Sequence, residues 1–382
     1  LKIKPLNGGR VRLAFLIRSL AIGGAERQLV ELAKGLDRER FDVAVITFYS
    51  GGKFAADLEQ AGIPVYSLRK RGRWDLVAFF ARLVKLLRAL QPDILHSYMT
   101  GSNIVAALVK ASLPRVQLVW GVEAAYVDHS QYGWLEQLTS RTEILLSSLP
   151  NLIVFNSYAG RDYHLGIGFS SARNIVIHNG IDLSRFSPDA TAGARLRSDW
   201  NISPDAFVIG LSGRLDPIKD HQTFLKAASL FSREFSEARF ICIGGGDSGY
   251  SRQLETLAAT LGIAHKLVWP GFVENMAAAY NALDICCLAS HTEGTSNALA
   301  EAMACGKPCV ATDVGDSRRI LGSTGILVPP RDPEAMMAAW KALKLRLGGE
   351  TTLNSSVRRR IEQHFSLEQL IGKTSEALTG LL

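Results

Sequence analysis

The sequence is poor in cysteine, has no long apolar run and contains no Asp-x-Asp pair, and each shortage removes a class of explanation. Its five cysteines, Cys242, Cys286, Cys287, Cys305 and Cys309, are an odd number, and all fall in the C-terminal half of the 382 residues. They sit in apolar strand or helix patterns, where a free thiol packs as a small hydrophobe. Reduced thiols and a reducing, cytoplasmic compartment are therefore expected. A metal site at Cys305 and Cys309 is rejected, because Gly306 and Pro308 break the helix between them and no His is near in sequence. With no Asp-x-Asp and no His/Asp/Glu cluster at ligand spacing, no bound metal is expected. No apolar run reaches about 18 residues, so no membrane-spanning helix is expected. The opening "LKIKPLNGGRVRLAFLI" weakly imitates a signal peptide, but its apolar run is short and no small-residue cleavage site follows. The chain does not start with Met, which leaves open a natural N-terminus further upstream.

What is present describes a globular chain. An apolar fraction of 47% with 21% charged residues is that of a folded protein, and the length calls for two domains. The net charge of +7 suits anionic ligands or an anionic membrane. Basic residues occur only in short, scattered runs, so nucleic acid is not an expected partner. Short apolar runs such as "VRLAFLI", "FDVAVITF", "QLVWGV", "AFVIGLSG", "RFICIGGG" and "DICCLAS" alternate with longer amphipathic stretches. That rhythm predicts parallel strands buried under helices on both faces. It breaks at "DLSRFSPDATAGARLRSDWNISPD" and then restarts. The expected layout is an N-terminal Rossmann-like domain over 1–185, a similar C-terminal domain over 186–360, and a helix over 361–382 packing back across them. Ligands bind beyond the carboxyl ends of such strands, so two such domains are expected to face a cleft lined by their strand-to-helix loops.

Three of those loops carry candidate chemistry. In "RSLAIGGAERQLVELAKGL", Gly23 and Gly24 open a helix, and its free N–H groups suit a phosphate. In "GLSGRLDPIKDHQTFLKA", Arg214 and Lys219 lie five apart on a Pro-stiffened loop and could clamp a diphosphate. In "HTEGTSNALAEAMACGKP", Glu293 precedes a helix that Ser296 would cap, and Glu301 lies eight positions later inside it. At about 1.5 Å rise per residue the two carboxylates are too far apart to share a proton, so they would meet different parts of one elongated ligand. Taken singly, these loops also read as a glycine turn, surface charge and a solvated helix face. The run "GGGDSG", Gly244 to Gly249, fits a dinucleotide fingerprint, but the next strand ends in Pro, Gly and Phe where a carboxylate is needed.

Together the loops resemble a family: the retaining GT-B-fold glycosyltransferases of family four, which use nucleotide sugars. The likeness runs through "GGAERQLVELAKGL", "IVIHNGIDLSRFSP", "GRLDPIKDHQTFLKA" and "EGTSNALAEAMACGKPCVATDVGD", and spans nearly the whole chain. It implies that Arg214 and Lys219 hold the donor diphosphate and that Glu293 faces the donor sugar. Glu301 would take the ribose, Gly294, Thr295 and Ser296 would offer backbone contacts, and Val273 would lie by the base. Gly23 and Gly24 would approach the phosphate from the other domain. No cofactor is implied beyond the nucleotide-diphosphate sugar itself. Many members of the family carry a His after the strand read here as "QLVW". This chain has Glu123 there, a catalytic candidate in its place, with His129 and Asn156 as further polar residues.

The resemblance implies metal-independent transfer, with retained configuration, to a glycan or lipid-linked acceptor in cell-surface polysaccharide or lipopolysaccharide synthesis. A nucleotide-sugar epimerase and an inactive nucleotide-sugar binder are the competing readings. The aromatic loop from Tyr126 to Trp134 is a candidate sugar-acceptor surface. The cluster Arg69, Lys70, Arg71 and Arg73 precedes an amphipathic helix bearing Arg82, Lys85 and Arg88 opposite Phe79, Phe80, Leu83 and Leu86. It suits peripheral contact with the inner face of an anionic membrane.

Overall fold

The computed structural model describes residues 9–72, 74–123, 134–349 and 352–382. Two compact units result: residues 1–180 with 367–382, and residues 181–366.

The first unit is built on seven parallel strands: β1 (Val11–Ile17), β2 (Phe41–Thr47), β3 (Val65–Ser67), β4 (Ile94–Tyr98), β5 (Gln117–Val122), β6 (Leu152–Phe155) and β7 (Asn174–Val176). Their order across the sheet is β3-β2-β1-β4-β5-β6-β7. Strand β1 shows why the sheet needs helices on both faces. Its Leu13, Phe15 and Ile17 join one core with α1 (Gly24–Gly35) and α2 (Ala55–Gln60), while Ala14 and Leu16 join another with α3 (Leu76–Leu90) and α4 (Thr100–Lys110). The helices α5 (Trp134–Leu146) and α6 (Tyr158–Gly166) complete the set that follows strands. The last helix, α15 (Leu367–Thr379), belongs to this unit and packs beside α1, with the Ile371 side chain against Gly35.

The second unit repeats the plan with six parallel strands. They are β8 (Phe207–Ser212), β9 (Ala238–Ile243), β10 (Leu267–Gly271), β11 (Ile285–Leu288), β12 (Cys309–Thr312) and β13 (Ile326–Val328), in the order β10-β9-β8-β11-β12-β13. Helices α7 (Ala190–Asp199) to α14 (Leu353–His364) surround it. Phe224, Phe231, Phe240 and Trp340 anchor one face in edge-on and tilted ring contacts, and Tyr280, Met303 and Ile361 lie in the core of the other. In each sheet the chain winds outward, returns to the middle and winds the other way. The winding reverses between β1 and β4 in the first unit and between β8 and β11 in the second. Crevices at such reversals are where open α/β sheets bind ligands.

Candidate functional site

The second unit's reversal point is flanked by the loops after β8 and β11, which carry the residues singled out above. They are tied together: the His291 amide donates to the Ile218 carbonyl at 2.8 Å. Asp216 starts a single 3₁₀ turn over Pro217–Lys219 by accepting from the Ile218 amide at 3.0 Å. Asp220, at φ 48°, then caps α8 (His221–Glu234), accepting from the Thr223 amide at 3.1 Å. This local punctuation directs Lys219 across to the neighbouring loop, where its Nζ meets Glu293 Oε1 at 2.5 Å. The same carboxylate oxygen accepts from Ser290 Oγ at 2.6 Å. Ser290 is held in turn, since Thr312 Oγ1 donates to its carbonyl at 2.7 Å. Glu293 is thus gripped through one oxygen.

Arg214 stands apart from that pair. Its side chain is 74% exposed and pairs with Asp216 at 3.2 Å. An exposed pair of that kind contributes roughly 0–1 kcal/mol, so Arg214 is not held for stability. Glu301 is buried on α11 (Asn297–Ala304), and Tyr280 on α10 (Met276–Asn281) donates its hydroxyl to Glu301 Oε2 at 2.9 Å. Burial, with the Glu301 charge beside it, pushes the Tyr280 hydroxyl well above its usual range, so it stays a donor. The two glutamates accordingly have separate partners. Ser296 caps α11 by accepting from the Leu299 amide at 3.3 Å, while Gly294 accepts from the Asp316 amide at 2.9 Å. Thr295 is partly exposed between them, and Val273 packs half-buried on the core after β10.

Several supports escape sequence reading. Gly315, at φ 57°, lies so close under Glu293 that a Cβ there would meet its carbonyl at 2.3 Å. The "GGGDSG" run has a structural use as well. A Cβ on Gly244 would meet the Gly213 carbonyl at 2.1 Å, and one on Gly246 the Leu215 carbonyl at 2.4 Å. These glycines let the loop after β9 lie against the backbone around Arg214. His221, fully buried beside Lys219 and Asp220, is lowered to about 4 chiefly by burial and then by the Lys219 charge.

In the first unit, Gly23 precedes α1 in extended conformation, and a side chain there would meet the Glu26 carboxylate at 2.0 Å. The chain's own Glu26 therefore folds toward the helix start where a phosphate is expected. Glu123 ends β5. Asn156 Nδ2 donates to its Oε2 at 2.9 Å and to its carbonyl at 3.2 Å, and Ser157 Oγ donates to Asn156 Oδ1 at 3.2 Å. Burial lifts the Glu123 carboxyl to about 7; the Asn156 hydrogen bond opposes the rise and the Glu26 charge adds to it. His129, Tyr126 and Arg73 lie outside the described residues, as does the side chain of Trp134.

Two doubly wound units of this kind define the GT-B fold. The Anabaena protein HepE in complex with UDP-glucose superposes at TM-score 0.83 with 23% identity, covering 97% of this chain and 99% of that one. Sucrose-phosphate synthase from Thermosynechococcus elongatus does so at 0.80 with 18% identity, covering 97% and 99%. Family models agree in both units: "Glycosyltransferase Family 4" matches residues 22–185 and "Glycosyl transferases group 1" matches residues 206–344. The chain belongs to the family-four, group 1 glycosyltransferases. Among curated relatives, D-inositol 3-phosphate glycosyltransferase of Geodermatophilus obscurus is 35% identical over 224 residues, 56% of this chain and 48% of that one. The same-named protein of Streptosporangium roseum is 32% identical over 286 residues, 68% and 64% respectively. The chain spans about half the length of the first of these and under two thirds of the second.

Proposed function

We propose that the chain is a retaining glycosyltransferase that moves a sugar from a nucleoside diphosphate to a glycan or lipid-linked acceptor, using fixed cations in place of a metal. The observation that carries the proposal is the pairing of Lys219 with Glu293 at the second unit's reversal point, beside Arg214, which is largely exposed and pairs with Asp216. As the bond from the anomeric carbon to phosphate breaks, negative charge grows on the departing diphosphate. Arg214 and Lys219 stabilise that charge, and preorganised charge stabilisation of this kind is usually the largest catalytic term. Glu293, fixed by Ser290, faces the donor sugar; Glu301, fixed by Tyr280, takes the ribose hydroxyls. A thermal-shift series with UDP, GDP, ADP, CMP and NAD in the presence of EDTA tests this. A Tm rise with one nucleoside diphosphate is expected, because a ligand of the native state stabilises it. A response to NAD alone, or to none of these, refutes the donor site.

The setting proposed is cell-surface polysaccharide synthesis at the inner membrane face. No helix among the described residues is long and apolar enough to cross a membrane. Peripheral contact is favoured by a feature at the start of α3: Trp74 and Val77 are each 86% exposed, beside the exposed Arg69 and Arg71. Arg82 adds little, being tied to Asp75 at 2.5 Å. Co-sedimentation with phosphatidylglycerol-containing vesicles should fall about thirtyfold in an Arg69→Gln/Arg71→Gln protein, at about 1 kcal/mol per cation. Equal sedimentation of both proteins would remove the membrane from the proposal.

A further inference from the structure

One residue of the first unit holds a backbone conformation that glycine alone adopts without cost. Met99, directly after β4, has φ 71° and ψ 154°. A side chain there is strained, and strain of this size persists only where the surroundings impose it. The surroundings do so here. The Met99 amide still pairs with the sheet, donating to the Gly121 carbonyl at 3.1 Å, while its own carbonyl already starts α4 by accepting from Ser102 and Asn103, each at 3.0 Å. Asn103 closes the arrangement, donating from Nδ2 to Gly121 at 3.2 Å and accepting from Ser97 Oγ at 2.8 Å. The chain turns from strand to helix within one residue. A sharp strand-to-helix elbow of this kind lifts the side chain at its apex clear of the sheet edge, as in enzymes that present a nucleophile there. Here the apex carries a thioether, which is 42% exposed.

Glycine would make this turn without strain, so what needs explaining is that a side chain is kept. Its position supplies the reason. Strand β4 pairs with β1 on one side and β5 on the other, with Leu16 opposite Ser97 and Tyr98 opposite Gly121. Met99 therefore stands at the first unit's reversal point, after the strand that lies between β1 and β5, the latter directly followed by Glu123. The loop after β1 offers a second apolar group, Ile22, which is 60% exposed. Two exposed apolar side chains thus stand on the loops that follow two paired strands, β1 and β4.

Resting on the transferase reading above, we infer that Met99 and Ile22 contact the acceptor and select one whose reacting sugar adjoins a hydrocarbon portion. A phosphorylated polyol such as the name of the curated relatives states would leave these two side chains against polar groups. The shared chemistry, a run of carbon next to the sugar, fits a lipid anchor or an aromatic aglycone.

The test compares octyl, phenyl and methyl glycosides of glucose, galactose and mannose as acceptors for the wild-type protein and for Met99→Gly, Met99→Leu and Ile22→Ser. Wild type is expected to prefer octyl or phenyl glycosides over methyl ones; octyl over phenyl indicates a lipid anchor, the reverse an aromatic one. Met99→Gly is expected to raise Tm by relieving the strain, yet to lower kcat/KM for the preferred acceptor about tenfold, the scale of a lost apolar contact. Met99→Leu keeps the preference. Nucleotide-induced Tm shifts stay as in wild type throughout, which separates this inference from the donor site. With those shifts intact, equal use of methyl and octyl glycosides, no use of any glycoside, or a Met99→Gly protein with wild-type kcat/KM each overturns it. Loss of the nucleotide shift in wild type itself overturns the transferase reading instead.

Discussion

A Lys219→Met protein should lose about a hundredfold or more in kcat/KM while remaining folded. The expectation comes from setting two roles of this lysine against each other. As a partner of Glu293 it is largely enclosed, with 26% of its side chain exposed against 12% for the glutamate, so its loss leaves that carboxylate without its cation, though Ser290 still donates to it, and lowers Tm as well. As a cation facing a departing diphosphate it acts where charge develops, and losing one such group costs about 3 kcal/mol of barrier. Rate and Tm should therefore both fall at Lys219, the rate by the larger catalytic factor. Arg214→Ala gives the cleaner comparison, because its ion pair with Asp216 leaves the guanidinium largely exposed. Near-normal kcat/KM in both variants would dismantle the clamp. Near-normal rate at Arg214 alone would place the charge stabilisation on Lys219.

The second large effect is on stability against pH. The Glu123 carboxyl stands at about 7, raised from 4.5. The folded state therefore holds a proton that the unfolded chain releases, and between these two values the unfolded state binds fewer protons. Stability is fully present below about pH 4.5 and declines as pH rises toward 7, then levels off. A Glu123→Gln protein lacks this penalty and can still accept the Asn156 hydrogen bond. Its advantage over wild type should be small at pH 5 and grow to at most about 3 kcal/mol above pH 7. Denaturation curves at the two pH values measure it. A constant difference between the proteins across that range would mean that Glu123 titrates as an ordinary carboxylate.

How much of this was open to inspection in the sequence depends on distance along the chain. The longer strands announce themselves, because a strand covered on both faces reads as an apolar run; β1 and β5 coincide with "VRLAFLI" and "QLVWGV". The short strands β3, β7 and β13, three residues each, do not. Three residues flanked by turns give neither a run nor an alternation. The loops bearing Lys219 and Glu293 were legible because they combine charge with glycine directly after a strand. The groups that hold them were not. Tyr280 reaches Glu301 across 21 residues, and Gly315 supports Glu293 from the loop after another strand. "GGGDSG", set aside as a dinucleotide loop because the next strand ends without a carboxylate, turns out to pack closely beside Arg214, a use that no sequence pattern announces. Met99 leaves no trace at all in composition, since its peculiarity is a dihedral angle.

All five cysteines are buried, and burial pushes the Cys305 thiol up to about 12. The reactive species is the thiolate, and it needs access as well as ionisation. The folded protein is accordingly expected to be silent toward maleimides and similar probes without any cysteine having been removed. A single cysteine placed at an exposed position such as Val77 becomes the one addressable point on the surface, ready to carry a fluorophore that reports on the water or lipid around it.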